Sequence, residues 1–295
     1  MGSHSRCGVG SHSQSHSQKN VFILQLRKKF VSLHPNMSTI IYPSPVFGPI
    51  HSRRLGVSLG VNLMPGDGKV CSFDCIYCEC GFNAAFRPHE KRPTRSEVRE
   101  ALERVLSERH ANGEPLDVIT FAGNGEPTGH PDFPAIIADT VSLRNRYFPQ
   151  AKVSVLSNAT YIHKDDVRQA LMLVDNNIQK LDTVNDDYIR MVDRPVQPSY
   201  SAADIVEGLK AFNGHVIVQT MFMTGESAGR SVDNTTEEYI QPWLEALKSI
   251  APEQVMIYTI DRETPDHGLR KAGKETLDAI KERVQRLGIS CSASY

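Results

Sequence analysis

From Ile50 onward, six short apolar runs alternate with segments of helical period, and this alternation leaves few folds open to the chain. The runs are "GVSLGVNL" (56–63), "DVITFAG" (117–123), "KVSVLSN" (152–158), "IQKLDTV" (178–184), "HVIVQTMF" (215–222) and "QVMIYTI" (254–260). Each is rich in β-branched or aromatic residues and is bounded by polar or turn residues, which marks a strand. Helices are expected near 94–110, 133–146, 164–175, 200–213, 235–250 and 274–287. Thr94 with Glu97 forms a capping box at the start of the first, and Gly288 suits the end of the last. Six β-α units in series imply a parallel sheet with right-handed crossovers. Eight would close a barrel, so six point to an open, partial barrel or a doubly wound sheet. In either arrangement the working face is the C-terminal edge of the strands.

Four of the six cysteines fall in "KVCSFDCIYCECGF" (69–82), shortly after the first strand and on that edge. A chain of 295 residues, 40% hydrophobic and 23% charged, buries enough core to need no disulfide staples. Cysteines gathered in one loop of such a chain favour metal over pairing and a reducing, cytoplasmic setting. Cys71, Cys75 and Cys78 stand at C-x3-C-x2-C, and thiolates so spaced in a wrapping loop can converge on one iron–sulfur centre. Three protein ligands leave one iron open for a substrate or cofactor. A structural zinc site normally uses four ligands, often as two separated pairs. Here the fourth thiol, Cys80, crowds the same turn, and the next cysteine is Cys291.

The loop is not alone. "FAGNGEPT" (121–128) closes the second expected strand and "VLSNAT" (155–160) the third. Taken with Cys71-Ser72-Phe73-Asp74-Cys75-Ile76-Tyr77-Cys78, these segments resemble the radical S-adenosylmethionine (radical SAM) superfamily. Its signature is C-x3-C-x-φ-C, with Tyr77 as the aromatic φ. GNGEP is similar to the family's GGEP, with Asn124 in place of a small residue. The flanking "SPVFGPIHSRRLGVSLGVNLMP" further resembles the branch that contains the tRNA wyosine-base synthases and uncharacterised relatives. The likeness covers residues from about 44 to 290.

The resemblance implies a partial (β/α)6 TIM-like barrel with the cluster at the C-terminal edge of its strands. It implies a 4Fe-4S cluster on Cys71, Cys75 and Cys78, and S-adenosylmethionine on the open iron. A reduced cluster then generates a 5′-deoxyadenosyl radical, supplied with its electron by a flavodoxin or ferredoxin type donor. Cofactor contacts are expected from Tyr77, from Gly123, Asn124, Gly125 and Glu126 near the methionine amino group, and from Ser157 and Asn158 near the ribose or carboxylate. Asp182 and Gln219, at the ends of the fourth and fifth strands, are further candidates. Cys80 is expected to pack beside the cluster, and Met221, Met223 and Tyr258 to line the core or barrel. The competing reading is a noncatalytic iron–sulfur or zinc-stabilised binding or electron-transfer protein on the same fold.

The substrate is less legible. The net charge of −1 gives no global argument for nucleic acid or membrane, and no apolar run approaches the roughly 20 residues a spanning helix needs. Arg53, Arg54, Arg87, Lys91, Arg92, Arg95, Arg194 and Arg262 fall near the expected active edge. Guanidinium groups recognise phosphates and carboxylates bidentately, which fits a phosphorylated small molecule or RNA. The plainer reading is a solvated basic loop with ordinary ion pairs. Wyosine-base synthases hold a second cluster on further cysteines. Only Cys7, Cys80 and Cys291 remain here, so a second cluster is not expected.

Residues 1–36 read as a separate, disordered extension, and 37–295 as the core domain. "MGSHSRCGVGSHSQSHSQKN" has no apolar periodicity, and its His4, His12 and His16 read as part of a polar tail. "VFILQLRKKFVSL" is short, apolar and then basic, with nothing resembling a cleavage site. On this reading Met37 is the natural start. Deleting residues 1–36 should leave solubility and activity intact, and loss of either in the truncated protein would refute the assignment.

Overall fold

The computed structural model describes residues 39–52 and 56–295. The expectation for residues 1–36 lies outside this range, as do Cys7, Arg53 and Arg54. All six expected strands are present. They are β2 (Gly56–Val61), β3 (Val118–Phe121), β4 (Lys152–Ser157), β5 (Asn176–Lys180), β6 (Ile217–Met221) and, after a hairpin, β9 (Gln254–Tyr258). A further parallel strand, β11 (Ser290–Ser294), pairs with β9, and β1 (Val46–Ser52) runs antiparallel to β2 at the opposite edge. The sheet order is β1-β2-β3-β4-β5-β6-β9-β11.

The parallel strands follow sequence order without reversal, so every crossover steps the same way around the sheet. A doubly wound sheet would reverse direction at a switch point, and this one does not. β1 and β11 end the sheet without pairing to each other, so the barrel is partial and open. Seven parallel strands rather than six are present, and the extra one closes more of the arc.

The helices fall close to their expected places: α1 (Arg95–Ala111), α2 (Phe133–Tyr147), α3 (Asp165–Leu171), α5 (Ala202–Lys210), α6 (Glu237–Ile250) and α7 (Lys274–Arg286). The capping box of α1 forms as read: the Thr94 side chain accepts from the Glu97 backbone, and the Glu97 carboxylate accepts from the Thr94 backbone. Gly288 adopts φ +80° just beyond α7, the left-handed conformation a helix terminator needs. One helix was not legible: α4 (Asp186–Val192), two turns long, crosses the C-terminal edge directly after β5.

The apolar interior divides in two. The main core joins the helices to the outer face of the sheet, with Phe121, Phe133, Phe212, Phe222 and Trp243 at its centre. A second apolar cluster sits over the C-terminal edge: Phe73, Cys75, Ile76 and Tyr77 from the cysteine loop, Tyr188 and Val192 from α4, and Met221, Met223, Val232 and Ile260. Met221 and Met223 are thus packing residues, as expected, and Tyr258 packs against the same cluster. A small sheet formed by β10 (Leu269–Lys271), β7 (Met223–Ser227) and β8 (Arg230–Ser231) flanks it.

Candidate functional site

The cysteine loop leaves β2 and runs across the end of β3, close enough that the two backbones pair. Val70 forms a parallel bridge with Gly125, and its N–H donates to the Asn124 carbonyl at 2.9 Å. A Cβ on Gly125 would lie 1.8 Å from the Val70 carbonyl oxygen, and its φ of +146° disfavours other residues. Gly123, at φ +135°, abuts the Asn62 side chain in the same way, 2.8 Å from where a Cβ would be. Gly125 therefore answers first to the passage of the loop across the strand end, and Gly123 to the Asn62 side chain at the end of β2.

Asn124 has a structural assignment of its own. Its amide donates to the carbonyls of Tyr42 and Pro65, each at 2.8 Å, and its Oδ1 accepts from the Tyr42 N–H at 2.8 Å. Asn62 adds a bond to the Tyr42 carbonyl at 3.1 Å. The two amides clamp the segment that leads into β1, which explains why a small residue of the motif is replaced by asparagine. Glu126 is likewise engaged within the protein. Its buried carboxylate accepts from the Asn158 N–H at 2.6 Å and from Thr128 through both backbone and hydroxyl. Burial raises its pKa against the pull of these bonds and of the Ser157 hydroxyl.

Asn158 completes the circuit from β4 back to the loop. Its Nδ2 donates to the Ser72 hydroxyl at 2.8 Å and lies 3.6 Å from the Cys71 sulfur. Ser157 accepts from the Ala159 N–H at 3.0 Å. GNGEP, SNAT and the cysteine loop thus form one hydrogen-bonded unit.

Within the loop, Asn83 and Lys69 hold the turns. Asn83 Oδ1 accepts from the Cys71 N–H at 3.0 Å, and its Nδ2 donates to the Phe73 carbonyl at 3.0 Å. Lys69 is 2% exposed; its ammonium donates to the Gly81 carbonyl at 2.6 Å and faces Asp74 at 3.4 Å. Burial alone would lower the pKa of this lysine, but the field of Cys78, Cys71, Cys75 and Asp74 holds it above the ordinary lysine range. Burial pushes the Cys71 thiol up to about 12 and that of Cys75 well up too. Cys78 is held down to about 6, chiefly by a hydrogen bond from the Cys80 thiol, which is raised in turn. Cys80 is buried and lies 3.4 Å from the Gly123 carbonyl, the packing position expected of it.

Tyr77 points into a second buried charge group that sequence reasoning read only in part. Its hydroxyl donates to Asp182 at 2.5 Å and lies 3.2 Å from Asp193. Lys180 bonds to Tyr77 and Asp182, pairs with Asp193 at 2.9 Å and stands 4.8 Å from the Tyr77 ring centroid. Burial raises the Asp193 carboxyl to about 6 despite the Lys180 charge. Of the four residues in this group, the sequence marks Tyr77 and Asp182. Lys180 is the last residue of β5 and Asp182 lies two residues beyond it; Asp193 follows the last residue of α4.

Two connected spaces open on this edge. One, about 550 Å³, is lined at its inner end by Tyr77, Cys78, Cys80, Gly123, Met221 and Tyr258. A second, about 200 Å³, continues down the barrel lumen between Gly123, Leu156, Ile178, Gln219 and Met256. Tyr77, Gly123 and Gln219 therefore face open space. Asn124, Glu126 and Ser157 hold the framework, and Asn158 reaches the loop. The basic residues sort similarly: Arg95 pairs with Asp139 at 2.7 Å, Arg92 donates to the Gly129 carbonyl, and Arg262 pairs with Glu79 at 3.0 Å. Arg87 and Lys91 are exposed.

A model of the Radical SAM superfamily matches residues 67–237, more than half of the chain and the whole stretch from the cysteine loop to α6. The chain belongs to the radical SAM superfamily. Radical SAM proteins use a 4Fe-4S cluster and S-adenosylmethionine and need an external electron donor. A UPF0026 protein of Methanocaldococcus jannaschii is 31% identical over 240 residues, 79% of this chain and 69% of that protein. A protein of Brachyspira hyodysenteriae named GTPase Obg is 26% identical over 243 residues, 80% of this chain. This chain spans only 33% of the Brachyspira protein's length. Among solved structures, a radical SAM methyltransferase from Sphaerobacter thermophilus superposes with TM-score 0.60 at 15% identity, over 81% of this chain and 66% of that one. TYW1 with a lysine–pyruvate adduct bound superposes with TM-score 0.54 at 12% identity, over 93% and 90% of the two chains. Likeness at such identities is likeness of fold.

The residues present fit the radical SAM cofactor. Cys71, Cys75 and Cys78 are free thiols in an apolar setting, and the buried cation Lys69 lies in the field of all three. A set of ligating thiolates is anionic, and a buried lysine offsets that charge. Among the described residues no three His, Cys, Asp or Glu side chains are gathered as a single metal ion requires. Ligation by the three cysteines thus rests on the family and on these surroundings. Because Gly125 allows the loop to cross β3, Gly125→Ala should cost about 2–4 kcal/mol of stability or more. It should also lower iron content after reconstitution. A denaturation midpoint within error of the parent would contradict the close approach.

Proposed function

We propose that the chain is a radical SAM enzyme in which Cys71, Cys75 and Cys78 hold a 4Fe-4S cluster with one iron left for S-adenosylmethionine. The observation that carries this reading is the joining of the three-cysteine loop to GNGEP through the Val70–Gly125 bridge and to SNAT through Asn158, beside an open chamber. When bound and reduced by one electron, cluster and S-adenosylmethionine together supply a 5′-deoxyadenosyl radical that abstracts hydrogen from a substrate carbon.

The protein's own contributions are electrostatic and steric. Lys69 offsets the thiolate charge from below the loop. Tyr77, held by Asp182, Asp193 and Lys180, forms a fixed wall beside the second and third cysteines. Gly123 leaves backbone accessible to the amino group of the cofactor, with Asn124, Gly125 and Glu126 fixing that stretch from behind. Gln219 faces the lumen, where the ribose is expected, and Asp182 acts behind the wall, its two oxygens engaged by the Met221 N–H, Tyr77 and Lys180, while Asn158 positions the loop. Met221, Tyr258 and Ile260 line the chamber wall and exclude water, which keeps a reactive intermediate from quenching.

A passive iron–sulfur or zinc site has no use for a chamber of about 550 Å³ opening onto Cys78, one of the three ligand cysteines, and this weighs against the noncatalytic alternative. A flavodoxin or ferredoxin type donor and a cytoplasmic setting complete the proposal. No helix among the described residues is long and apolar enough to cross a membrane.

Anaerobic reconstitution of single variants tests the ligand assignment. Cys75→Ala should lose nearly all bound iron and sulfide. Cys80→Ala should keep the parent's content, and its EPR signal should still change on adding S-adenosylmethionine. Equal iron loss in both variants would refute the three-ligand reading.

A further inference from the structure

Beside the cysteine loop, on the same C-terminal edge, lies a recess of about 390 Å³ that no part of the cofactor arrangement uses. It is lined by Asp187, Arg190, Met191 and Arg194 from α4 and its end, and by Ser227, Ala228 and Arg230 from the β7–β8 hairpin. α4 follows directly on β5, and the hairpin follows on β6. Both therefore rise from strand ends adjacent to the chamber.

The recess holds three guanidinium groups against one carboxylate. Asp187 approaches Arg190 only to 4.0 Å and is itself 92% exposed. Among the described residues, Arg194 and Arg230 belong to no ion pair, in contrast to Arg95, Arg262 and Arg283, each of which has a carboxylate within 3.0 Å. Arg194 is also held in place. Its backbone takes φ +50°, its N–H donates to the Ile189 carbonyl at 2.9 Å, its Nε donates to the Met191 carbonyl at 3.2 Å, and its guanidinium stands 5.4 Å over the Phe82 ring. Its carbonyl accepts from the Asp74 N–H at 3.2 Å, between the first two cysteines. Arginines without carboxylate partners, one of them fixed in orientation, are arranged for an anion that comes from outside.

We infer that this recess binds a phosphate group of the substrate. The inference depends on the proposed function only in calling the ligand a substrate; the binding itself requires the fold alone. Arg190 and Arg230 reach the anion from opposite walls, and Arg194 anchors it to the loop that carries the cysteines. The reacting carbon then sits some distance from the phosphate, toward the chamber. Either a phosphorylated small molecule or the backbone of RNA supplies such a group.

The test titrates inorganic pyrophosphate into the reconstituted protein by calorimetry, for the parent, for Arg190→Gln/Arg230→Gln, and for Lys281→Gln/Arg286→Gln on α7 as a control of equal charge. Loss of two charge-assisted contacts should weaken pyrophosphate at least about tenfold in the first variant and leave the control unchanged. Iron content and melting temperature should match the parent in both. Competition then separates the sources: displacement of pyrophosphate by a short single-stranded RNA without terminal phosphates points to the backbone, and displacement by a mononucleotide alone points to a small molecule. Absence of saturable binding to the parent, or equal weakening in both variants, would overturn the inference. Cleavage of S-adenosylmethionine measured in the same parent preparation separates this outcome from failure of the radical reading. Pyrophosphate bound by a protein that cannot cleave the cofactor sinks that reading and leaves the phosphate site standing.

Discussion

The contact between Val70 and Gly125 is the constraint on which the rest of the site depends. A loop carrying three ligands has to lie flat over the end of a parallel strand, and two backbones can approach that closely only where one of them has no side chain. Gly125 meets that condition, and everything above it follows. Asn83 and Lys69 close the turns of the loop, Asn158 ties its first cysteine to β4, and α4 pairs with its middle through Ile76 and Val192. The loop is thereby held by strand ends rather than by its own residues, which suits a site that must keep its shape with and without its inorganic contents.

Charge is the second organising theme. Two lysines, Lys69 and Lys180, are buried on the active edge, and each meets acidic or thiol partners. Burying such groups costs stability unless every charge finds a partner, so their presence beside the thiols marks the region as built for function rather than for folding alone. The Tyr77–Asp182–Asp193–Lys180 group links the cysteine loop, β5 and α4, so a change at any one of them is felt at the wall of the chamber.

Much of this was legible in the sequence where local pattern and tertiary role agree. The six strands and six helices announced themselves because each carries a clear period, and the cysteine spacing, GNGEP and SNAT all stand at strand ends as the α/β architecture requires. β11, "SCSAS", escaped because small polar residues carry no strand signal; its pairing with β9 makes it a strand. β1, "VFGPIHS", is interrupted by Gly48 and Pro49, and α4 is too short for periodicity to show. At the site, the sequence marks the segments, and the partners of their side chains come only from the fold. The polar atoms of Asn124, Glu126 and Ser157 meet the chain itself, and for Asn124 and Glu126 the partners include residues on other strand ends and loops, such as Tyr42 and Asn158, which leave no local trace. Lys180 and Asp193 meet Tyr77 across more than 100 residues, whereas Lys69 and Asn83 bond within the loop, whose irregular turns carry no period to read.

The central claim is that the three-cysteine loop supports reductive cleavage of S-adenosylmethionine. The most direct measurement is the yield of 5′-deoxyadenosine from anaerobically reconstituted, reduced protein given S-adenosylmethionine. The account predicts 5′-deoxyadenosine in the parent, and none above background in Cys71→Ala, Cys75→Ala or Cys78→Ala. A parent protein that carries a full cluster and yields no 5′-deoxyadenosine with any of several reductants would contradict it.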